Sequence, residues 1–185
     1  MQSGSSTNNP RLQKKLVDAI TDLSVHYAQE QIKHGIEVFQ LFDTHAGLIP
    51  FELYEKVFLP STLKIAAAVR DAQVPFIFFP KGIGTGLKKI TPDHCDYLSI
   101  DWQTSIYTAR EIVHPQIGLQ GNLDPRLLYG QPEHIVTKLE KYLEFGSQNT
   151  NWVFNLGHGF IPNLPFDNAK LLVDWLKSAD WNRNA

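Results

Sequence analysis

The fold class predicted by the sequence is α/β, built around a parallel β-sheet. Five short segments rich in β-branched and aromatic residues alternate with segments of helical periodicity, a pattern typical of strand–helix–strand units with right-handed crossovers. The first two strand segments are almost continuously apolar, as parallel strands covered on both faces usually are. An antiparallel α+β sheet is the alternative, but no Asn-Gly or Asp-Gly hairpin turn supports it.

The chain is predicted to begin with a polar, flexible lead over residues 1–9, followed by a helix that opens at Pro10 and ends at Gly35. Apolar residues recur along this helix at steps of three and four, which gives it one apolar face. The residues of that face are Leu12, Leu16, Ile20, Leu23 and Tyr27. No repeat or linker divides the remainder, so residues 10–185 are predicted to form a single domain.

The elements after this helix alternate regularly. The predicted strands are Ile36–Phe42, Val74–Phe79, Tyr97–Ile100, Ile117–Gln120 and Trp152–Leu156. The predicted helices are Phe51–Arg70, Gly84–Ile90, Ser105–Val113, Pro132–Phe145 and Phe166–Lys177. Pro60 is expected to kink or split the first of these helices because it lacks a backbone N–H. Gly146 is expected to end the fourth.

The composition restricts the possible classes of function. The 185 residues carry 17 Lys and Arg against 19 Asp and Glu, and the cations are scattered, so neither a nucleic-acid groove nor a basic membrane patch is expected. Cys95 is the single cysteine, which excludes an intramolecular disulfide and a thiolate zinc site. The N-terminal segment lacks the apolar stretch of a signal peptide, and no apolar run approaches the roughly 20 residues of a membrane span. We therefore expect a cytoplasmic protein.

Polar or glycine-bearing clusters follow all five predicted strands. The carboxyl ends of parallel strands lie at one edge of a sheet, where ligand sites of β/α folds form. The clusters are Phe42–Gly47, Pro80–Gly86, Asp101–Thr104, Gly121–Pro125 and Gly157–Gly159. The sequence therefore predicts a small-molecule enzyme site at this edge.

Several residues of these clusters have both a functional and a structural interpretation. Asp43 and His45 are equally compatible with a site and with local capping. Lys81 either contacts a substrate carboxylate or pairs with Asp101 or Asp43. His158 lies between two glycines, whose bare backbone lets a ligand approach closely, and a buried structural histidine is its alternative.

Other polar residues are expected to be structural. Asp101 can cap the turn that follows it, and Asp124, which precedes Pro125, is expected to do so. Gly82–Gly86 lacks the Lys-Ser/Thr ending of a P-loop and is expected to bring backbone amides to a carboxylate. His94 and Cys95 precede a strand, at the end opposite to the predicted site, and are interpreted as structural.

No motif for nucleophilic or metal chemistry stands out. A Ser-His-Asp triad lacks its nucleophile elbow because no Gly-x-Ser-x-Gly occurs. Asp43, His45 and His158 could supply metal ligands from several strand ends, but their spacing does not demand it, and no metal site is predicted. Trp102 is expected to pack beside the site or to border it.

Five motifs resemble the uroporphyrinogen decarboxylase family in order and separation. They are Leu41–Gly47, Pro80–Gly82, Ile100–Trp102, Leu119–Pro125 and Asn155–Gly159. The resemblance covers nearly the whole chain and implies a TIM (β/α)8-barrel fold. It also implies a cofactor-free carboxy-lyase that converts four acetate groups of uroporphyrinogen to methyls, giving coproporphyrinogen in porphyrin and haem synthesis. A protonated pyrrole would accept the electrons left by CO₂, so the protein would supply orientation and charge stabilisation.

The resemblance also implies roles for single residues. Thr44 falls on a substrate-contacting hydroxyl of the family and would donate a hydrogen bond. His158 falls on its substrate-binding histidine and would contact a carboxylate or a pyrrole edge. Further candidates for substrate binding at the same edge are Phe42, Asp43, His45 and Lys81.

The chain departs from the family in its extent. The family's enzyme is nearly twice as long, and its arginine-rich motif, pyrrole-binding aspartate and site tyrosine have no counterpart here. About five of eight β/α units remain, which cannot close a barrel and would leave the first and fifth strands as edges. We therefore expect a chain that is inactive alone, with its catalytic residues unassigned, and that forms a homodimer or pairs with the N-terminal half.

Two other functions stay open at this point. Corrinoid methyltransferases belong to the same superfamily, but they use a zinc thiolate site with more cysteines than Cys95 alone. A non-catalytic half-barrel could bind a tetrapyrrole or a partner protein without turnover. An assay that detects coproporphyrinogen formed from uroporphyrinogen distinguishes the non-catalytic half-barrel from the decarboxylase.

Overall fold

A computed structural model describes residues 9–181 and contains one five-stranded sheet with strand order β1-β2-β3-β4-β5, every neighbouring pair parallel. The predicted α/β class is therefore confirmed, and the antiparallel alternative is wrong. The strands are β1 (Phe39–Asp43), β2 (Phe76–Pro80), β3 (Tyr97–Ser99), β4 (Gly118–Gln120) and β5 (Trp152–Val153). The helices are α1 (Pro10–Lys33), α2 (Phe51–Val57), α3 (Leu59–Arg70), α4 (Ile106–Ile112), α5 (Pro132–Gln148) and α6 (Phe166–Ser178).

Helix α1 begins as the sequence predicts. The Asn9 side chain accepts hydrogen bonds from the backbone N–H groups of Arg11 and Leu12, at 3.1 and 3.2 Å, which satisfies two donors that a helix start leaves unpaired. The predicted flexible lead otherwise falls on residues 1–8, which lie outside the described residues. The helix ends before Gly35, whose φ of +87° is easily reached only without a Cβ.

The apolar face predicted for α1 is not the face that packs. Leu12, Leu16, Ile20, Leu23 and Tyr27 are all between 55 and 67 % exposed. We call these five residues the α1 stripe. The helix instead lies on α3 through another face, where Thr21 is buried and its hydroxyl donates to Val17 O and contacts Ser61 Oγ at 2.7 and 2.8 Å. The packed side of α1 thus carries the buried Thr21 and Ala28 together with Val25 and Ile32, and the α1 stripe stays uncovered.

The structure confirms one predicted helix break and corrects two other predicted helices. The predicted helix Phe51–Arg70 is split between α2 and α3, as Pro60 predicted, because Pro60 lies in the first turn of α3. Gly84–Lys89 is a 3-10 helix rather than an α-helix. Helix α5 runs through Gly146 to Gln148, and the glycine serves packing: a Cβ there would lie 2.7 Å from the Trp152 ring.

The strands are shorter than predicted. Strand β1 begins at Phe39 rather than Ile36, β2 begins at Phe76 rather than Val74, and β5 ends at Val153 rather than Leu156. Pairing between the last two strands resumes further along, where Leu123 and Leu156 form an isolated parallel bridge. The irregular backbone after β4 therefore interrupts β5 without separating the two segments.

The hydrophobic core lies between the sheet and its helices. One row crosses all five strands in register and faces this core, formed by Leu41, Phe78, Leu98, Leu119 and Trp152. The alternate residues point to the opposite side, which we call the open face. Strands β1 and β5 each have one neighbour, so the sheet has two edges in the described part of the chain, as predicted. Within residues 9–181, no helix combines the length and apolarity that crossing a bilayer requires.

Candidate functional site

A cavity of about 390 Å³ opens at the carboxyl ends of β1 and β5, on the open face of the sheet. It is the size of many small-ligand pockets. Its lining residues are Gln40, Phe42, Thr44, Phe79, Ser99, Asn155, Leu156, His158, Gly159 and Phe160. The structure therefore brings Phe42, Thr44 and His158 together, from opposite ends of the sheet, as the sequence predicts.

A polar network forms part of this cavity. The side-chain amide of Gln120 donates to Gln40 Oε1 at 3.2 Å and to Ser99 Oγ at 3.1 Å. Gln120 and Ser99 are buried, so the network satisfies polar groups that would otherwise be costly to bury. It links β1, β3 and β4 across the open face.

Thr44 and Phe42 are available to a ligand. Thr44 is exposed, and Phe42 leaves 65 % of its surface uncovered while its ring meets Phe79 edge to face at 6.0 Å. An exposed aromatic ring on a cavity wall offers a flat apolar surface, and a hydroxyl beside it can donate or accept a hydrogen bond. The pair suits a flat ligand with polar substituents.

Asp43 turns away from the cavity. Its carboxylate accepts a hydrogen bond of 2.7 Å from the Tyr54 hydroxyl, and Asp43 is absent from the cavity lining. Burial, followed by the neighbouring Asp43 charge, raises the pKa of Tyr54. The tyrosine lies in α2, outside the five motifs, so no local pattern predicted this bond.

His45 and Lys81 also lie outside the cavity lining. His45 is exposed and precedes a 3-10 helix at Ala46–Leu48. Lys81 pairs with neither Asp43 nor Asp101, and its Nζ lies over the Trp102 ring, 5.1 Å from the centroid. Neither side chain forms part of the cavity wall, and Lys81 lies beside it through its contact with Trp102.

The structural interpretation of Asp101 is confirmed. Its buried carboxylate accepts hydrogen bonds from Gly82 N at 2.7 Å and Gln103 N at 2.8 Å. The glycine-rich segment after β2 thus presents a backbone amide to a carboxylate, as predicted, and the carboxylate is the protein's own. Gly82 has φ +81°, a conformation that suits glycine.

Asn122 fixes the loop that carries Asp101. Its side-chain amide donates to Asp101 O and Thr104 O, at 2.8 and 2.5 Å, and its oxygen accepts from the Tyr142 hydroxyl at 3.1 Å. All polar atoms of this buried side chain are engaged, so Asn122 is a structural residue. The peptide bond that precedes it, Gly121–Asn122, is cis.

Asp124 caps the next turn, as predicted. Its carboxylate accepts from Arg126 N at 2.9 Å and pairs with the Arg126 guanidinium at 2.6 Å. The hydrogen bond from the arginine side chain lowers the pKa of Asp124. The sequence prediction did not include Arg126, which this pair brings to the opening of the site.

Trp102 borders the site, as expected. Its indole ring meets the His158 imidazole edge to face, with centroids 5.6 Å apart. The Arg126 guanidinium lies over the same ring at 5.6 Å. The backbone of Gly157 is pressed against Trp102, because a Cβ on Gly157 would lie 2.4 Å from Trp102 N.

His94 and Cys95 are both buried, away from this edge. Burial raises the pKa of the Cys95 thiol to about 12, which keeps it protonated and unreactive. Among residues 9–181, no cluster of three or more His, Cys, Asp or Glu side chains is placed to hold a metal ion. The structural interpretation of this pair agrees with its burial.

Comparison with known proteins identifies relatives along most of the chain. The family described as Uroporphyrinogen decarboxylase (URO-D) matches residues 5–179. Proteins named uroporphyrinogen decarboxylase are 40 % identical in Coxiella burnetii and 34 % in Geobacter metallireducens, over 86 and 89 % of this chain. The matches cover 45 and 48 % of those proteins, so the chain spans about half the length of the curated relatives it matches.

A solved structure shares the fold. A methyltransferase from Methanosarcina mazei superposes with a TM-score of 0.69 at 20 % identity, over 85 % of this chain and 46 % of its own. At this identity the likeness concerns the fold alone, that of an incomplete TIM-type barrel. The match to the family model and the half-length coverage together fit a C-terminal portion: the chain belongs to the uroporphyrinogen decarboxylase family.

Proposed function

We propose that this chain supplies one wall of a uroporphyrinogen decarboxylase site, and that it is inactive alone. The observation that supports the proposal is the convergence of Phe42, Thr44 and His158 on one cavity at the carboxyl edge of the sheet. The family resemblance assigns Thr44 and His158 to the substrate, and Phe42 is a further candidate from the same cluster as Thr44. They come from strands at opposite ends of the sheet. The substrate class is a flat tetrapyrrole with many carboxylates.

Each residue of this wall has a role that fits the ligand. The Phe42 ring offers an apolar surface to the macrocycle. Thr44 donates a hydrogen bond, and the His158 imidazole binds a carboxylate or a pyrrole edge. Lys81, at the border, attracts the carboxylates by its charge. Asp43 and His45 lie outside the cavity wall and receive no role in substrate contact, and Asp43 is held by its hydrogen bond with Tyr54.

The surfaces that the chain leaves open fit a partner that completes the barrel. Strand β1 is an edge of the sheet, and residues of α1 and β1 line a common cavity. The α1 stripe is exposed. Helices of a complete β/α barrel pack against a neighbour on both sides, and α1 has one such neighbour, α3, within the described residues. We propose that the N-terminal half of the family's polypeptide covers these surfaces in the active cytoplasmic assembly, with a homodimer as the alternative.

A turnover assay tests whether the chain needs the N-terminal half for activity. Incubated alone with uroporphyrinogen, the chain should give no coproporphyrinogen, because the groups expected to grip the pyrroles have no counterpart in it. Adding the N-terminal half of a relative, such as the Coxiella burnetii protein, should restore product formation. Turnover by the chain alone would refute the claim of inactivity, and binding without turnover in the completed assembly would favour the non-catalytic half-barrel.

The histidine can then be tested in the completed assembly. His158→Ala should lower kcat/KM at least tenfold, about 1.4 kcal/mol of transition-state stabilisation. The matched control is His134→Ala, because His134 is exposed at the start of α5 and does not line the cavity. Equal activities of the two variants would remove His158 from the site.

A further inference from the structure

Trp102 lies where loops from four successive strands meet. It belongs to the loop after β3, and its indole ring is contacted by one side chain from the loops after β2, β4 and β5. These side chains are Lys81, Arg126 and His158. Each carries a nitrogen that can bind a carboxylate, so three such groups share one aromatic ring.

The ring can hold two cations close together. An indole face is electron-rich and attracts an ammonium or guanidinium group, by about 0.5–1 kcal/mol at an exposed site. The Lys81 ammonium and the Arg126 guanidinium lie 5.1 and 5.6 Å from the ring centroid. Their attraction to the ring offsets part of their mutual repulsion, and this keeps both charges at the mouth of the cavity.

Both cations have capacity for a further anion. The ion pairs among residues 9–181 do not include Lys81, whose ammonium lies over the Trp102 ring. Arg126 binds Asp124 through Nε and Nη2, which leaves Nη1 without a partner in the described chain. A carboxylate is the group that both would bind.

Hydrogen bonds and backbone packing hold the loop that carries Trp102 in place. The Asp101 carboxylate binds the backbone of Gly82 and Gln103, and Asn122 binds the backbone of Asp101. Gly157 lets the His158 loop lie directly on the Trp102 backbone. The indole is therefore held on a rigid support, and the three nitrogen-bearing side chains are arranged around it.

We propose that Trp102 is a positioning residue that holds Lys81, Arg126 and His158 as one carboxylate-binding rim. The inference rests on the proposed function, and the anions it would bind are acetate or propionate groups of the tetrapyrrole. Trp102 acts through its neighbours, by fixing their distances from one another. Arg126 becomes a carboxylate-binding residue of the same rim.

A double-mutant cycle tests this role through binding of uroporphyrin, an octacarboxylate, to the full chain in a fluorescence titration. Trp102→Leu should weaken binding about tenfold, and Lys81→Gln about fivefold. In the Trp102→Leu background, Lys81→Gln should have almost no further effect, because the ammonium is no longer positioned. Trp102→Phe, which keeps an aromatic face, should lose less than Trp102→Leu.

The same uroporphyrin titration includes a control variant at another lysine. Lys88→Gln removes the same charge from an exposed residue of the 3-10 helix Gly84–Lys89 and should leave binding unchanged. If the losses of Trp102→Leu and Lys81→Gln simply multiply in the double variant, Trp102 does not position Lys81 and the inference is wrong.

A second measurement separates this inference from the proposed function. If the unaltered chain binds no uroporphyrin, the titration is repeated in the assembly completed by the N-terminal half, where absence of binding would refute the proposed function. In that case proton NMR of the free protein decides the role of Trp102. The indole ring current should shift the Lys81 ε-methylene and His158 ring signals, and Trp102→Leu should abolish both shifts. Identical spectra of these groups in the two proteins would overturn the positioning role. Should Trp102→Leu fail to fold, Trp102→Phe provides the same comparison with smaller shifts.

Discussion

Individual residues at the site owe their positions to close backbone packing as much as to side-chain bonds. Gly157 and Gly159 flank His158, yet they differ in what surrounds them: a Cβ on Gly157 would strike Trp102, and one on Gly159 would meet nothing within 4 Å. The sequence predicts that both glycines let a ligand approach the backbone closely. The structure assigns that role to Gly159 and assigns to Gly157 the contact between two loops.

The two glycines give a matched pair of variants. Gly157→Ala should lower the free energy of unfolding by about 1–3 kcal/mol, because the new methyl group forces the loop off the Trp102 backbone. Gly159→Ala should change it by less than about 0.5 kcal/mol. Urea unfolding of both variants measures the difference, and equal stabilities would mean that the Gly157–Trp102 contact is not formed.

The Tyr54–Asp43 hydrogen bond gives a second residue-scale prediction. Tyr54→Phe should cost about 1.5–3 kcal/mol of stability, because the carboxylate loses a charge-assisted donor. Tyr107→Phe is the control: its hydroxyl donates to Lys141 O at the surface, where water can replace it, and should cost less than about 0.5 kcal/mol. Denaturant unfolding monitored by circular dichroism compares the two.

The sequence predicted the residues that follow the strands better than those within them. Thr44 and His158 follow β1 and β5, and Phe42 belongs to the cluster at the end of β1. All three were predicted to lie at one edge because the strand ends of a parallel sheet converge. Gln40, Ser99 and Gln120 were missed, although polar residues at alternate positions inside otherwise apolar strands are a signal for one uncovered face. Nothing local predicted Tyr54 or Arg126, since their partners become apparent only after folding.

At the scale of elements, α1 shows how periodicity can identify a helix and misplace its contact. The spacing of its apolar residues correctly gave a helix, but it also identified the α1 stripe as the single apolar face. A helix in a β/α barrel has two lateral neighbours, and small residues such as Ala28 can form one of these contacts. Hydrophobicity alone therefore selects the α1 stripe as the packed face of α1, although the face that carries Ala28 is the one that packs.

The exposure of the α1 stripe can be tested by replacing two of its leucines. Leu16→Gln with Leu23→Gln should change the unfolding free energy by less than about 0.5 kcal/mol per site, and should reduce self-association in analytical ultracentrifugation. Val25→Ala, on the packed side of α1, should cost about 1 kcal/mol. A large loss of stability in the double variant would show that the stripe is already buried.

The whole molecule is an open sheet with helices on one side, and its class was predictable from alternation alone. The ends of the elements were less predictable. Strand β5 is short because the backbone after β4 departs from regular pairing. Helix α5 continues through Gly146, where the rings of Trp152 and Trp181 leave no room for a side chain. These features depend on contacts between distant segments, which no local pattern encodes. The compact core also determines the reactivity of Cys95, which it buries.

The buried Cys95 thiol should react slowly with thiol reagents as long as the chain is folded. Its pKa of about 12 in the folded chain, against 9.0 ordinarily, lowers the thiolate fraction near neutral pH about a thousandfold. Native chain should therefore react far more slowly with a disulfide reagent than chain in urea. Because the folded pKa is raised, the thiol's contribution is present below pH 9.0 and is lost as the pH rises towards 12. Cys95→Ala should lack this part of the alkaline loss, and rapid native labelling would contradict the burial.

The strand order also bears on how the chain reaches its structure. Each strand pairs with the strand next to it in sequence, so a β/α unit can dock on its predecessor as soon as it leaves the ribosome, without waiting for distant segments. We expect ribosome-bound chains in which β1 to β3 have emerged to resist brief proteolysis over those strands. Complete digestion of such chains would show that assembly awaits the final units.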